Sequence, residues 1–205
     1  MNDKQPFALG HASSSSWQEA LDKCLEQLGE LPDEANLGFV YIADSFANHL
    51  QDIHNRLKES TGIRHWTGTV GIGICATATE YHQDPAIAVM IGSFPADSFQ
   101  VLPFYNRAAD HLPGGWKDWL QSSSTHLAVI HGDPSNSNIP QLLIQLHEEL
   151  PGGYLVGGLS SSHGANPQLA DDLLEGGLSG VIFNDQVGVA TALSQGCTPI
   201  AEKHS

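Results

Sequence analysis

Apolar positions along the chain fall into two rhythms. Trp17, Ala20, Leu21, Cys24, Leu25 and Leu28 follow the i, i+3, i+4, i+7, i+8, i+11 spacing of one helical face. The serine run Ser13-Ser14-Ser15-Ser16 supplies an N-cap for this helix, and Gly29 with Pro32 ends it. Leu37 to Ala43 (LGFVYIA) is continuously apolar, as in a strand buried on both faces. Asp44 or Ser45 then caps a second helix carrying Phe46, Leu50, Ile53 and Leu57, closed near Gly62. Thr67 to Ala76 reads as one glycine-weakened strand. Ala86 to Gly92 and Ser98 to Leu102 read as two more, and the short Ser93-Phe94-Pro95-Ala96-Asp97 connection predicts that they pair antiparallel.

Pro113-Gly114-Gly115 opens a short helix around Trp116 to Leu120. His126 to Ile130 is a strand, His131-Gly132-Asp133-Pro134 a loop, and Ile139 to Leu150 a helix with Leu142, Leu143, Leu146 and Leu150 on one side. Tyr154 to Leu159 is the next strand. Gly180 to Phe183 and Val187 to Leu193, joined by Asn184-Asp185-Gln186, form a predicted hairpin. The expected order is α-β-α-β-β-β-α-β-α-β-β-β. The fold class is therefore α/β: a mixed β-sheet with helices packed on it and partly antiparallel hairpins, with no disordered tract beyond the termini.

Charge narrows the partners. The 205 residues hold 23 acidic and 8 basic side chains, a net charge of -15. That field repels nucleic-acid backbones and anionic membrane surfaces. Cys24, Cys75 and Cys197 are scattered and form no CxxC, which predicts reduced thiols. Met1 to His11 lacks a basic stretch followed by an apolar one, and no apolar run approaches the ~18 residues of a membrane span. A soluble, cytoplasmic protein is expected.

Catalytic signatures are weak. Gly71-Ile72-Gly73 lacks the third glycine of a dinucleotide loop, and Ile74-Cys75 prolongs the strand instead of opening a helix. No GxxxxGK[ST] and no GxSxG surrounds the serines at 160–162. Eleven histidines are present, none in HxH, HExxH or HxxxH spacing; His49 and His54 diverge by about 140° on a helix, so no metal site is expected. An axial haem histidine leaves no spacing signature, which keeps the loop histidines His131 and His163 as candidates should haem bind. Glu80, His82 and Asp84 read as a solvated turn.

Several segments, in order, carry a family likeness: Gly71-Ile72-Gly73-Ile74-Cys75-Ala76-Thr77; Glu80 with Ala86-Ile87-Ala88-Val89-Met90; Phe94-Pro95 with Phe104; Asp133-Pro134; Gly157-Gly158-Leu159-Ser160-Ser161; and Gly180-Val181-Ile182-Phe183 with Gly196-Cys197-Thr198-Pro199-Ile200. Together they resemble the N-terminal half of the FIST family of intracellular sensory domains. Thr198 stands where that family carries arginine, and the chain stops at Ser205 where the family continues into a C-terminal half, so one N-terminal-like domain over 1–205 is expected. The resemblance implies a small ligand, with amino acids proposed for the family, and a signalling partner protein; it does not imply an enzyme. Family members that bind haem and sense nitric oxide, and others that recognise proteins, supply the alternatives. The expected ligand site gathers polar, glycine-bordered strand ends: Cys75, Thr77, Asp133, Asn136, Gly157, Gly158, Ser160, Ser161 and His163, with Cys197 nearby. Asp133 would meet a ligand amino group, and Asn136 and the serines would supply hydrogen bonds. No cofactor is required by this reading.

Overall fold

A computed structural model describes residues 6–102, 104–107, 111–124, 126–150 and 152–192. Its first element is a strand, β1 (Phe7–Ser13), in a stretch where no element is expected. Helix α1 (Trp17–Leu28) follows; the Ser16 side chain accepts from the Glu19 N–H, and Gly29 at φ 57° stops it, as its sequence predicts. Strand β2 (Leu37–Ala43) leads through a 3-10 turn (Asp44–His49) into α2 (Leu50–Thr61), which Gly62 closes at φ 72°. Next come β3 (His65–Gly71), β4 (Gly73–Ala76), β5 (Thr79–His82), β6 (Ala86–Gly92) and β7 (Phe99–Val101). The rest comprises α3 (Trp116–Gln121), β8 (His126–Gly132), α4 (Ile139–Glu149), β9 (Tyr154–Leu159), β10 (Gln168–Ala170), β11 (Asp172–Leu174) and β12 (Leu178–Asn184).

The architecture is mixed α/β, as expected, but it holds two stacked sheets and a hairpin instead of one sheet. Among the described residues a six-stranded sheet runs β1-β6-β2-β3-β10-β11, a four-stranded sheet runs β7-β12-β8-β9, and β4-β5 form a two-stranded hairpin. Strand alternation explains the layers. From β2 and β6, Val40, Ile42, Ile87, Val89 and Ile91 point to one side and pack with Leu21, Cys24, Leu50, Ile53 and Leu57 of α1 and α2. From the other side of β2, Leu37 and Phe39 meet Val181 and Phe183 of β12. The far face of the smaller sheet, with Ala128, Ile130, Leu178 and Ile182, takes Leu142 and Leu146 of α4 and Leu120 of α3. The order across the molecule is helices, large sheet, small sheet, helices. β2 and β6 are buried on both faces for this reason, which is why their sequences are uninterrupted apolar runs.

Four expectations change. The predicted 86–92/98–102 pair does not form: β6 lies between β1 and β2, with Met90 opposite both Leu9 and Phe39, whereas β7 pairs with β12. A strand apolar on both faces needs a central position, and the Phe94-Pro95 segment crosses to the second sheet instead of turning back. The 67–76 strand breaks at Gly71, and β4 and β5 make a hairpin about Ala78 at φ 57°, so Glu80 and His82 sit on a strand and not in a turn. His131 and Gly132 end β8 and are not loop residues. Finally, 187–192 form no strand; β12 is already paired on both edges, by β7 and β8, which leaves no ladder for a hairpin return. Leu193 lies outside the described residues.

Aromatic rings join the two sheets. Phe94, beyond the end of β6, has its ring centroid 5.0 Å from that of Phe183 on β12 and 5.9 Å from that of Phe99 on β7. Such pairs contribute about 0.5–1.5 kcal/mol beyond area burial. Phe94→Leu and Phe183→Leu are each expected to destabilise the fold, with a coupling energy of about 0.5–1.5 kcal/mol in a double-mutant cycle followed by urea denaturation. Additive losses would mean that these rings do not touch.

Candidate ligand pocket between the sheets

The smaller sheet does not cover the whole inner face of the larger one. Towards the β1 edge, Phe7 and Leu9 remain 40% and 48% exposed. Here the β4-β5 hairpin folds against β2 and β6. The space it roofs is a pocket of about 420 Å³. Leu9 and His11 of β1, Phe39 and Tyr41 of β2, Ala88 and Met90 of β6, and Val129 of β8 form its walls; Cys75, Ala76 and Thr77 form the rim. Among the described residues no Lys, Arg, Asp or Glu lines it. His11 Nδ1 lies 2.7 Å from the Tyr81 hydroxyl, which fixes the ring against the hairpin.

Behind this apolar wall runs a buried polar seam. The Tyr41 hydroxyl is 3.0 Å from His131 Nε2, and His131 Nδ1 is 3.3 Å from Ser179 Oγ. Burial pushes His131 down to about 4 and Tyr41 up to about 12, so both are neutral at pH 7. Further along the seam, Thr69 and Ser160 share a 2.6 Å hydroxyl contact across the two sheets. The Ser160 N–H donates to Gly132 O, the Ser161 N–H to Val70 O, and Ser161 Oγ accepts from the Ile72 N–H. The chain leaving β9 is thus stitched to the end of β3.

The expected site residues are distributed among several places. Cys75 and Thr77 line the inter-sheet pocket. Gly157 and Gly158 line a smaller cavity of about 240 Å³ on the opposite face of the small sheet, against α4. Gly157 has φ 140°, and a Cβ there would sit 1.8 Å from Ile130 O, so only glycine fits. Asp133 is buried; its carboxylate accepts from the Ser135 N–H at 2.9 Å and the Gly176 N–H at 2.8 Å. Asn136 Nδ2 donates to Asn106 O and Gly176 O, while its Oδ1 accepts from the Asn138 N–H. These two side chains hold loops together and line neither cavity. Ser160 and Ser161 are the stitches just described. His163 clamps Asp44 through its N–H at 2.9 Å and Nδ1 at 2.7 Å. Burial pulls the Asp44 carboxyl up, but the His163 hydrogen bonds outweigh it and hold the group below its usual value. Cys197 lies outside the described residues.

Haem does not fit the two expected histidines. Both His131 ring nitrogens are engaged between the sheets, and His163, whose Nδ1 holds Asp44, lies at an exposed position beside neither cavity, with no apolar slot in front of its Nε2. An axial ligand needs a free ring nitrogen facing an apolar slot. Among the described residues no group of three or more His, Cys, Asp or Glu is placed to hold a metal ion.

Leu9, His11, Tyr41 and Met90 escape a search for polar, glycine-bordered loops. A signal for β1 does exist in FALGHAS: large and small side chains alternate. The small ones face α1, and a Cβ on Gly10 would lie 2.3 Å from Cys24 O, because the helix rests directly on the strand.

The domain is thus built of two stacked mixed sheets, each with helices on its outer face, with a partly open pocket between them. Residues 36–205 match the FIST N domain, and the chain belongs to that family, one of sensory domains and not of enzymes. It is 33% identical over 142 residues to an uncharacterized protein of Mycobacterium tuberculosis, matched in two strains; the alignment covers 67% of this chain and 36% of each relative. The chain therefore matches about a third of the length of these curated relatives. Among the described residues no helix is long and apolar enough to cross a membrane.

The buried His131 makes stability depend on pH. Its folded value of about 4 lies below the ordinary 6.5, so between these limits the unfolded chain binds the extra proton. Its contribution is complete above about pH 6.5 and is lost as pH falls towards 4, on the order of 3 kcal/mol in total. His131→Gln is expected to flatten the stability profile between pH 6.5 and 4.5 in urea titrations. An unchanged slope would contradict a neutral, buried imidazole.

Proposed function

We propose that this chain is a non-enzymatic sensory domain that takes a compact, mainly apolar ligand into the pocket between its sheets and signals occupancy to a partner protein. The supporting observation is the pocket itself: about 420 Å³, apolar walls from both sheets, and a hairpin rim carrying Cys75 and Thr77. Of the amino acids anticipated from the family, one with a large apolar side chain suits these walls. A charged side chain directed inwards finds no counter-ion among the lining residues, and an uncompensated buried charge is costly, so the ionised ammonium and carboxylate of such a ligand would stay in water at the open rim. His11 and Thr77 offer the polar contacts that orient such a ligand.

The same geometry supplies a route for the signal. A ligand against Tyr41 touches the residue that hydrogen-bonds His131 of β8, which in turn meets Ser179 of β12. Pocket occupancy and the seating of the small sheet are linked through this seam. A cytoplasmic setting with reduced Cys75 agrees with its place as a free thiol on the rim.

Thermal-shift and calorimetric titration with indole, phenylalanine, leucine and short-chain fatty acids tests the reading. A fitting ligand is expected to stabilise the protein by about 2.7 kcal/mol at 100 times its Kd. Thr77→Trp, at an exposed rim position, fills the mouth and is expected to remove that shift without lowering the ligand-free midpoint. A shift that survives Thr77→Trp places the ligand elsewhere, and no shift from any such compound contradicts the proposal.

A further inference from the structure

Strand β9 is an edge. It pairs with β8 on one side, and among the described residues no strand lies on the other. Because the Ser160 N–H donates to Gly132 O, alternate residues Val156 and Gly158 address β8, while Leu155, Gly157 and Leu159 turn their N–H and C=O groups outwards. Edge strands ordinarily defend such groups with lysine, proline or a covering element. β9 reads YLVGGL, with no lysine or proline, and among the described residues no strand covers it. Tyr154 and Leu159 are 64% and 60% exposed, and Val156, Gly157 and Gly158 between them are exposed as well, so the strand is open to solvent along most of its length. The cavity of about 240 Å³ beside it, walled by Ile139, Leu143 and Leu155, can receive alternate side chains of an added strand.

Charge selects the occupant. No Lys or Arg occurs between Lys117 and Lys203, the stretch that builds β8, α4, β9 and β12, and Glu148 is exposed just before β9. A second copy would bring the same acidic lobe to the edge and be repelled. We infer that the outer edge of β9 is a strand-addition site for an extended apolar segment of a partner protein, flanked by lysine or arginine. This inference concerns the output surface and stands apart from the ligand pocket, because its test uses ligand-free protein.

The probe is a synthetic nonapeptide, Lys-Lys-Val-Ser-Val-Ser-Val-Lys-Lys, added to the full chain and followed by amide hydrogen exchange and isothermal titration. Slowed exchange at Leu155, Gly157 and Leu159 is expected on binding. Backbone N-methylation of the peptide at alternate residues, or Leu159→Lys in the protein, is expected to weaken binding by at least about tenfold. A peptide with glutamate in place of the flanking lysines is expected to bind at least about tenfold more weakly, an effect that shrinks with salt. No binding by the basic peptide, binding indifferent to N-methylation, or equal affinity for the glutamate version overturns the inference. Protection of these amides before peptide is added also overturns it, whether from self-association or from the chain's own C-terminal segment.

Discussion

The contact between the inner faces of the two sheets is the constraint on which the rest depends. Each sheet has an outer face already occupied by helices, so each must bury its inner face on the other. Leu37 and Phe39 against Val181 and Phe183 make that contact apolar at one end. Tyr41, His131, Ser179, Thr69 and Ser160 make it polar at the other. The apolar end contributes adhesion, which is non-directional. The polar end contributes registry, because buried hydroxyls and an imidazole are tolerated only when their partners are in place. A slip of one residue in β2 would exchange Tyr41 for Ile42 opposite His131 and leave the imidazole without its partner.

The pocket follows from unequal sheet widths. A sheet of six strands facing one of four leaves part of its inner face uncovered. The β4-β5 hairpin closes over that part and roofs a space instead of filling it, since its rim residues Cys75, Ala76 and Thr77 are small. His11 and Tyr81 hold β1 and the hairpin together at 2.7 Å. The same unequal arrangement leaves β9 as an edge on the smaller sheet. Pocket and edge are thus connected through β8, which carries Val129 on the pocket wall and pairs with β9 along its other side.

Much of the fold was legible because its strongest signals are local. The serine cap and the six-position apolar stripe of α1, the left-handed Gly62, and the double-faced runs of β2 and β6 each report their surroundings in a few neighbouring residues. What stayed hidden depends on distant partners. β1 carries a large–small alternation whose meaning appears only once α1 is in place, because the helix backbone forbids a side chain at Gly10. β6 and β7 are close in the chain but belong to different sheets, because pairing follows burial and not loop length. Within the expected site, Asp133 and Asn136 carry the right chemistry for a ligand, yet backbone groups at Gly176 and neighbouring loops take up their hydrogen bonds. Polarity next to glycine marks a loop that needs internal acceptors as readily as one that needs a ligand. The pocket residues Leu9, Phe39 and Met90 look like ordinary core, and only the incomplete cover of the smaller sheet makes them a wall.

The most direct test is a proton NOE experiment on methyl- and aromatic-labelled protein at neutral pH. The stacked-sheet account predicts cross-peaks joining Leu37 and Phe39 to Val181 and Phe183, which lie in different sheets and far apart in sequence. Their absence, with the contacts within each sheet and its helices intact, would mean that the inner faces do not meet.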